Sequence, residues 1–320
     1  MEIHEDFPLK VAVFLDGRPG HEKQSMGIVR ALQHLHSLEV TTINIDHTSL
    51  WQDVSAWLRY ILGMVFLSTA AKEPYDIVIG AGVHTHIPML CCKRRSGAFC
   101  IVCMAPARIL RSGFDLCCIP QHDGIEAGQN VFLTVGPPNY SEAKAGHDRD
   151  KALILLGGVD TKSHHWSSED IGSYVLDLVS KEHEKEWTIS SSPRTPEETV
   201  VLVEKIAEHY ENITFYRYEN TPAGWVEKQY YKNGSVWVTA DSMSMVYEAL
   251  SAGCHVGILP VVWKNQHNKF KRSETYLLEQ GLVVSFMDWR AGTARWKLHE
   301  PLNEAGRCAE EIMRRWLKKN

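Results

Sequence analysis

The feature that most constrains the fold of this chain is a repeated alternation of short apolar runs with longer segments of helical periodicity. Apolar runs at residues 10–15, 39–45, 76–80 and 98–104 have the length of buried strands. A second series of the same kind starts at residues 152–158. Because parallel strands need a long crossover between them, usually a helix, the alternation predicts parallel sheets with helices on both faces. We therefore expect an α/β fold of two Rossmann-like, doubly wound lobes that face a cleft.

The two series are separated by residues 136–150, which contain turn formers and charges without periodicity. This stretch predicts a linker. A chain of 320 residues is also long enough to bury two cores. We expect an N-terminal lobe over residues 1–140 and a C-terminal lobe over residues 151–320 that includes a C-terminal helix.

Composition narrows the classes of function. The net charge of -5 gives no reason to expect nucleic acid as a partner. The chain starts with an acidic segment that lacks an apolar signal region, so we expect a cytoplasmic protein. Cys100 and Cys103 have C-x-x-C spacing inside an expected strand, where residues three apart point to opposite faces, so we expect reduced core thiols and no metal. The usual hydrolase, kinase and metallopeptidase motifs do not occur in the sequence.

One segment of the second lobe combines a strand, a hydroxyl-rich turn and a helix. The apolar run 236–238 is followed by Asp241, Ser242 and Ser244, where an apolar-periodic helix begins. Unpaired N–H groups at a helix start favour an anion. Glu248 lies one turn beyond Ser244 on the same face, where its carboxylate could accept hydrogen bonds from ribose hydroxyls. The pattern predicts a phosphate-and-ribose site, and an ordinary capped helix is the alternative.

Two further strand ends of the second lobe carry residues suited to phosphate. Arg194 can offer a planar fork to phosphate oxygens, and Ser192 and Thr195 place hydroxyls beside it. A basic loop lies beyond residue 260. The residues that we expect at the donor phosphates are Gly157, Gly158, Ser192, Arg194, Thr195 and Lys269. Solvated loops are the alternative interpretation.

The first strand leads directly into a loop with two titratable side chains. Asp16 and His21 flank Gly17, Arg18 and Gly20, and the glycines let the backbone approach a ligand. We interpret His21 or Asp16 as a catalytic base, with the loop lining an acceptor site. An incidental surface histidine is the alternative.

A second loop of the first lobe contains Gly80, Gly82, Thr85 and His86 between a strand and a helix. It approaches a dinucleotide fingerprint, but the third glycine and the ribose-binding acid are missing, which disfavours NAD. We expect these four residues to line the acceptor cleft. Structural glycines explain part of the pattern equally well.

The most apolar segment is residues 57–71, which begins with Trp57 and ends with Ala71. It is too short for a membrane span of about twenty residues. A buried helix is one interpretation. The other is a helix that rests on a membrane surface or holds a lipid, with the cluster Lys93, Arg94 and Arg95 adding charge attraction.

Several motifs together resemble the elongate-mitochondria (mitochondrial fission factor) family and its bacterial homologues. They are Asp16-Gly-Arg-Pro-Gly-His21 with Gln24, Gly80-Ala-Gly82 with Thr85-His86, Phe114-Asp-Leu116 with Pro120 and His122-Asp123, Ser192-Pro-Arg-Thr-Pro196, and Thr239-Ala-Asp-Ser-Met-Ser-Met245 with Glu248-Ala249. The resemblance implies a GT-B-like fold similar to glycosyltransferases such as the lipid II-forming enzyme. It further implies that the first lobe takes the acceptor and the second the nucleotide sugar, with His21 at the position of a base and Glu248 at that of the ribose-binding acid.

These observations predict a metal-independent glycosyltransferase without a cofactor. It would move a sugar from a nucleotide-activated donor to an envelope glycolipid or glycan, in the cytoplasm or peripherally on the inner face of the membrane. An NAD-dependent sugar-nucleotide epimerase and a non-catalytic scaffold for protein partners are the alternatives. An epimerase of that kind should carry a Tyr-x-x-x-Lys pair beside its cofactor, and the expected lobe has none.

Overall fold

The computed structural model describes residues 7–45, 74–297 and 299–319. The chain divides into two compact units, of which the first is Met1–Tyr140 with Asn303–Asn320 and the second is Ser141–Leu302. The apolar segment 57–71 lies outside the described residues, so its interpretation stays a prediction. Among the described residues we find no helix with both the length and the apolar character that a membrane crossing requires.

The first unit is built on a parallel sheet, which has six strands among the described residues. The strands are Leu9–Leu15 (β1), Leu38–Asn44 (β2), Ile77–Ala81 (β3), Phe99–Cys103 (β4), Leu116–Pro120 (β5) and Val131–Thr134 (β6). Within the described part of the unit, the α-helices between these strands are Pro19–Gln33 (α1), His86–Ser96 (α2) and Arg108–Arg111 (α3). The strand order is β2-β1-β3-β4-β5-β6. The strand order therefore reverses direction between β1 and β3: β2 lies on one side of this pair, and β4 to β6 lie on the other.

Both faces of this sheet are buried, because alternate residues of each strand enter different cores. Val11 and Val13 of β1 pack in one apolar cluster, whereas Ala12 packs in the other. Cys103 and Cys100 of β4 are divided in the same way, as their spacing predicts. All eight cysteines are free thiols in the structure.

The second unit repeats the architecture. Its strands are Asp148–Leu155 (β7), His164–His165 (β8), Glu186–Ser190 (β9), Ile213–Tyr216 (β10), Asn233–Thr239 (β11), His255–Leu259 (β12), Val262–Trp263 (β13) and Val283–Ser285 (β14), and its helices are Ser168–Lys181 (α4), Glu197–His209 (α5), Trp225–Tyr230 (α6), Met243–Ala252 (α7), Lys269–Glu279 (α8) and Phe286–Arg290 (α9). The parallel sheet has the order β10-β9-β7-β11-β12-β14, and β8 pairs with β13 in a separate antiparallel ribbon. The strand order of this sheet reverses direction between β7 and β11.

The C-terminal helix, Glu304–Lys319 (α10), corrects one prediction. The sequence pattern assigns it to the second lobe, but Cys308, Ala309 and Ile312 complete the core on one face of the first sheet. Glu304 strengthens the attachment, because its Oε2 accepts a hydrogen bond from the Val135 backbone N–H at 3.1 Å. An apolar helical stripe shows that a helix is buried but not which sheet covers it, so the sequence could not decide between the two units.

Candidate functional site

The candidate residues lie in loops beside the reversal point of each sheet, which is the place between two neighbouring strands where the strand order changes direction. In a doubly wound sheet, neighbouring strands that lead the chain in opposite directions leave a crevice at their carboxyl ends, where ligands bind. In the first unit these strands are β1 and β3, and in the second they are β7 and β11. The loops after these four strands hold most of the residues selected from the sequence.

In the first unit, Asp16 and His21 form a hydrogen-bonded pair. The distance from His21 Nδ1 to Asp16 Oδ2 is 2.8 Å, with side-chain exposures of 18% for His21 and 1% for Asp16. The other carboxylate oxygen, Oδ1, accepts from the Arg18 backbone N–H at 3.2 Å. A carboxylate that accepts from Nδ1–H fixes the imidazole tautomer with Nε2 as an acceptor. The pair can therefore take a proton from a bound hydroxyl.

The pair is held between the start of α1 and the loop after β3. Helix α1 begins at Pro19, which suits a first helical position because it has no N–H to leave unpaired. Gly82 has a φ of +96°, and a Cβ there would collide with Asp16 Oδ2 and His21 Nδ1. Glycine is thus required at position 82 by the Asp16–His21 pair itself. Gly17 is exposed in the loop before α1, and Gly20 is exposed in the first turn of that helix.

Gly80 and Thr85 have packing roles. A Cβ on Gly80 would strike the Met89 Sδ atom, so this glycine allows α2 to lie close to β3. The Thr85 hydroxyl is buried and donates to the Gly82 carbonyl at 2.8 Å. Contact of these residues with an acceptor stays a prediction.

Among the site residues of the first unit, His86 has the most strongly shifted pKa. Its ring is 2% exposed and meets Phe114 edge-on at 5.6 Å. Burial, followed by the nearby His21 and His84, lowers the pKa of His86 to about 4. Its Nε2 atom is buried without a hydrogen-bond partner among the described residues. At neutral pH, His86 is therefore an uncharged imidazole beside the Asp16–His21 pair.

In the second unit, Asp241 is the centre of a polar network that follows β7, β9 and β11. Its Oδ2 accepts from Gly158 N at 3.0 Å, Arg194 Nη2 at 2.8 Å and Ser242 Oγ at 3.2 Å. The Asp241 side chain is 1% exposed and that of Arg194 is 43% exposed. The sequence pattern gives both residues to donor phosphates, but in the structure they bind each other. A guanidinium has five N–H donors, and three hydrogen bonds from Arg194 go to Gly158 O, Asp241 Oδ2 and Ser242 Oγ.

Ser192 and Thr195 are anchored to the glycine loop after β7. The Ser192 hydroxyl donates to the Gly157 carbonyl at 2.7 Å, and the Thr195 hydroxyl donates to the same oxygen at 2.5 Å. Gly157 is required because a Cβ would collide with the Asp241 carboxylate, and Gly158 because a Cβ would collide with the Arg194 backbone. These hydroxyls and glycines hold the loops in position, and direct contact with phosphate stays a prediction.

Helix α7 starts in this network without the side-chain cap that the sequence pattern suggests. Ser242 occupies the N-cap position but makes no capping bond, because its hydroxyl is engaged by Arg194 and Asp241. Ser244 is exposed in the first turn. Glu248 is 5% exposed and lies beside the buried Tyr230, whose hydroxyl donates to the Met245 carbonyl at 3.3 Å. A ribose contact by Glu248 stays a prediction.

A cavity of about 570 Å³ opens beside Asp241. Arg194, Ser242 and Ser244 contribute to its lining. Four other lining residues were not selected from the sequence pattern: Val159, Asp160, Thr161 and Phe270. Asp160 could have been found, since it follows the glycine pair in the loop after β7. Phe270 lies at the start of α8, and no local sequence pattern marks it as a site residue. Lys269 precedes it, with Nζ 5.2 Å from the Phe270 ring centre.

Hydrogen bonds from Lys162 N and Ser163 lower the pKa of Asp160, so it carries a negative charge in this cavity at neutral pH. Within the described ranges we find no group of three or more His, Cys, Asp or Glu side chains able to hold a metal ion.

Two doubly wound α/β units, each with polar loops at its reversal point, define a GT-B-like fold, which confirms the predicted fold class. The chain belongs to the mitochondrial fission ELM1 family, whose model matches residues 19–316, so the family resemblance is also confirmed. No curated protein matches the chain by sequence.

Solved structures with the same fold include two described as UDP-GlcNAc 2-epimerases and one described as a co-structure with UDP. The UDP-GlcNAc 2-epimerase from Methanocaldococcus jannaschii has 13% identity and a TM-score of 0.60, covering 96% of this chain and 100% of that one. The S. aureus MnaA-UDP co-structure has 14% identity and a TM-score of 0.54, covering 97% of each chain. The UDP-GlcNAc 2-epimerase from Neisseria meningitidis bound to UDP-GlcNAc has 13% identity and a TM-score of 0.51, covering 97% and 100%. Identities this low establish a common fold alone.

Proposed function

We propose that this chain is a metal-independent glycosyltransferase of the GT-B type that needs no cofactor. The observation that carries the proposal is the Asp16–His21 hydrogen bond of 2.8 Å at the reversal point of the first sheet. A buried carboxylate that fixes an imidazole with one ring nitrogen available as acceptor is an arrangement for general base catalysis. The two residues therefore have different roles: His21 is the base, and Asp16 orients it.

The proposed reaction is a direct displacement. His21 Nε2 takes the proton of an acceptor hydroxyl while the hydroxyl oxygen forms a bond to the anomeric carbon of the donor sugar. The bond from that carbon to the phosphate oxygen breaks, and the nucleoside diphosphate leaves with the electron pair. The second unit holds this leaving group, with the exposed N–H groups of Arg194 and the start of α7 stabilising its charge.

The proposed donor is a nucleotide sugar, with a uridine nucleotide as the first choice. Solved structures of the same fold are described as bound to UDP or UDP-GlcNAc, which supports this choice. Glu248 is the proposed ribose contact, one helical turn from Ser244. We propose an envelope glycolipid or glycan as the acceptor, and a cytoplasmic enzyme that contacts the inner face of the membrane through residues 57–71.

A second candidate function is sugar-nucleotide epimerisation, which is supported by the fold shared with proteins described as UDP-GlcNAc 2-epimerases. Both reactions use a nucleotide sugar and a group that moves a proton. They differ in their need for an acceptor, because an epimerase changes the donor sugar itself. A non-catalytic scaffold would bind partners without turning over either substrate.

The test begins with calorimetry of UDP, GDP, CMP and NAD, followed by turnover of UDP-GlcNAc with and without a membrane-glycolipid extract. A glycosyltransferase releases UDP only when the acceptor is present, whereas acceptor-independent formation of a UDP-linked epimer identifies the second candidate. His21→Ala should lower turnover about 10²–10⁴-fold and leave donor affinity intact. His34→Ala, at an exposed position of the same unit, is the matched control. Loss of donor binding in His21→Ala with unchanged turnover of bound donor would remove His21 as the base.

A further inference from the structure

The cavity beside Asp241 combines carboxylates with an aromatic ring. Its lining includes two carboxylates, Asp160 and Asp241, and one positively charged side chain, Arg194. Arg194 already forms an ion pair with Asp241. Asp160 adds a negative charge beyond this ion pair, and it disfavours a phosphate beside it, because like charges at short range repel. The two carboxylates favour hydroxyl groups, which donate to carboxylate oxygens. The interior of this cavity is therefore suited to a neutral, hydroxyl-rich group.

The hydrogen bonding of Asp241 is incomplete on one side. Its Oδ2 receives three donors, but Oδ1 is buried and has no hydrogen-bond partner among the described residues. A carboxylate oxygen that is buried without a donor is costly, and a donor supplied by a ligand removes that cost. Asp241 lines the cavity, so a ligand hydroxyl in the cavity can supply the donor.

Phe270 gives the cavity a flat apolar wall that is fixed in place. Its ring stacks on Trp263 at 6.3 Å with an interplanar angle of 11°. Trp263 is held by a 2.7 Å hydrogen bond from its Nε1 to Glu274 Oε2 and by edge-on contact with His164 at 5.9 Å. His164 Nε2 in turn donates to the Gly158 carbonyl at 3.0 Å. The aromatic wall and the glycine loop are thus parts of one connected structure.

We propose that this cavity binds the pyranose ring of the donor, an inference that rests on the proposed function and adds to it the position of the sugar. The C–H face of the ring packs on Phe270, whose electron-rich face attracts the slightly positive hydrogens. Ring hydroxyls donate to Asp241 Oδ1 and Asp160. The diphosphate lies at the opposite side of the cavity lining from Asp160, at Ser244 and the start of α7.

The competing assignment places the nucleobase on Phe270. The two differ in which part of the ligand each substitution affects. If Phe270 contacts the sugar, its loss weakens UDP-GlcNAc and leaves UDP unchanged. If it contacts the base, both ligands weaken equally.

The experiment measures the affinities of UDP and UDP-GlcNAc by calorimetry for the wild type, Phe270→Leu, Phe270→Tyr and Asp241→Asn. We expect the wild type to prefer UDP-GlcNAc. Phe270→Leu and Asp241→Asn should each reduce that preference by about tenfold, on the scale of a lost aromatic contact or charged hydrogen bond. Phe270→Tyr keeps the ring and should keep the preference. UDP affinity should stay unchanged in Phe270→Leu and should hold or rise in Asp241→Asn, because Arg194 is released to phosphate.

Phe215→Leu is the matched control, since Phe215 is half-buried on β10 of the same unit and does not line the cavity. Equal loss for both ligands in Phe270→Leu, or an unchanged preference in both Phe270→Leu and Asp241→Asn, overturns the sugar site while leaving the proposed function intact. Equal binding of UDP and UDP-GlcNAc by the wild type also overturns it. A wild type that binds neither ligand overturns the proposed function itself.

Discussion

Acid should destabilise the first unit through one buried imidazole, His86. Its pKa falls from 6.5 to about 4 on folding, mainly because the ring is buried. The unfolded chain therefore takes up the proton first as the pH decreases. Stability from this residue is fully present above the unfolded pKa and is lost as the pH falls through it towards the folded value. Between about pH 7.5 and about pH 5 the linkage relation gives a loss of about 2 kcal/mol.

The assay is urea unfolding at both pH values, followed by far-UV circular dichroism, with hydrogen exchange in β3 to assign the transition to the first unit. His86→Gln has no titrating ring, so its free energy of unfolding should change about 2 kcal/mol less between the two pH values. His34→Gln replaces an exposed histidine of the same unit and should behave as the wild type does. Parallel pH dependence in the wild type and His86→Gln would refute the argument.

Three further substitutions test the two sites. Asp16→Asn should reduce turnover about 10²–10⁴-fold, because the amide no longer fixes the His21 tautomer in which Nε2 is the acceptor. UDP affinity should be unchanged in calorimetry, and a small effect on the rate would exclude Asp16 as the orienting group. Gly158→Ala should cost about 1–3 kcal/mol in urea unfolding, because its Cβ meets the Arg194 backbone; Gly20→Ala, with open space around it, is the control, and equal stabilities would contradict the close contact. Glu248→Ala should weaken UDP binding by about 1–3 kcal/mol if its carboxylate accepts a ribose hydroxyl, and unchanged affinity would exclude that contact.

The parts of the fold and site that could be predicted are those encoded locally. Alternating apolar and helical segments identify the doubly wound class, and a strand followed at once by Asp16 and His21 places both at one sheet edge. The pairing of Arg194 with Asp241 could not be predicted, because 47 residues separate them and each loop viewed alone suggests phosphate. Phe270 was missed since its position depends on how α8 packs. The polar contacts that pair the charged side chains of the second site therefore depend on the tertiary fold and not on local sequence.

The attachment of α10 to the first unit sets an order for biosynthesis. The sheet of this unit leaves the ribosome early, but Cys308, Ala309 and Ile312, which cover one of its faces together with α1, are made only after the second unit. The second unit, Ser141–Leu302, is synthesised completely before them. A nascent chain consequently carries a partly uncovered apolar face on its first unit throughout synthesis of the second, and apolar surface exposed in this way is prone to aggregation.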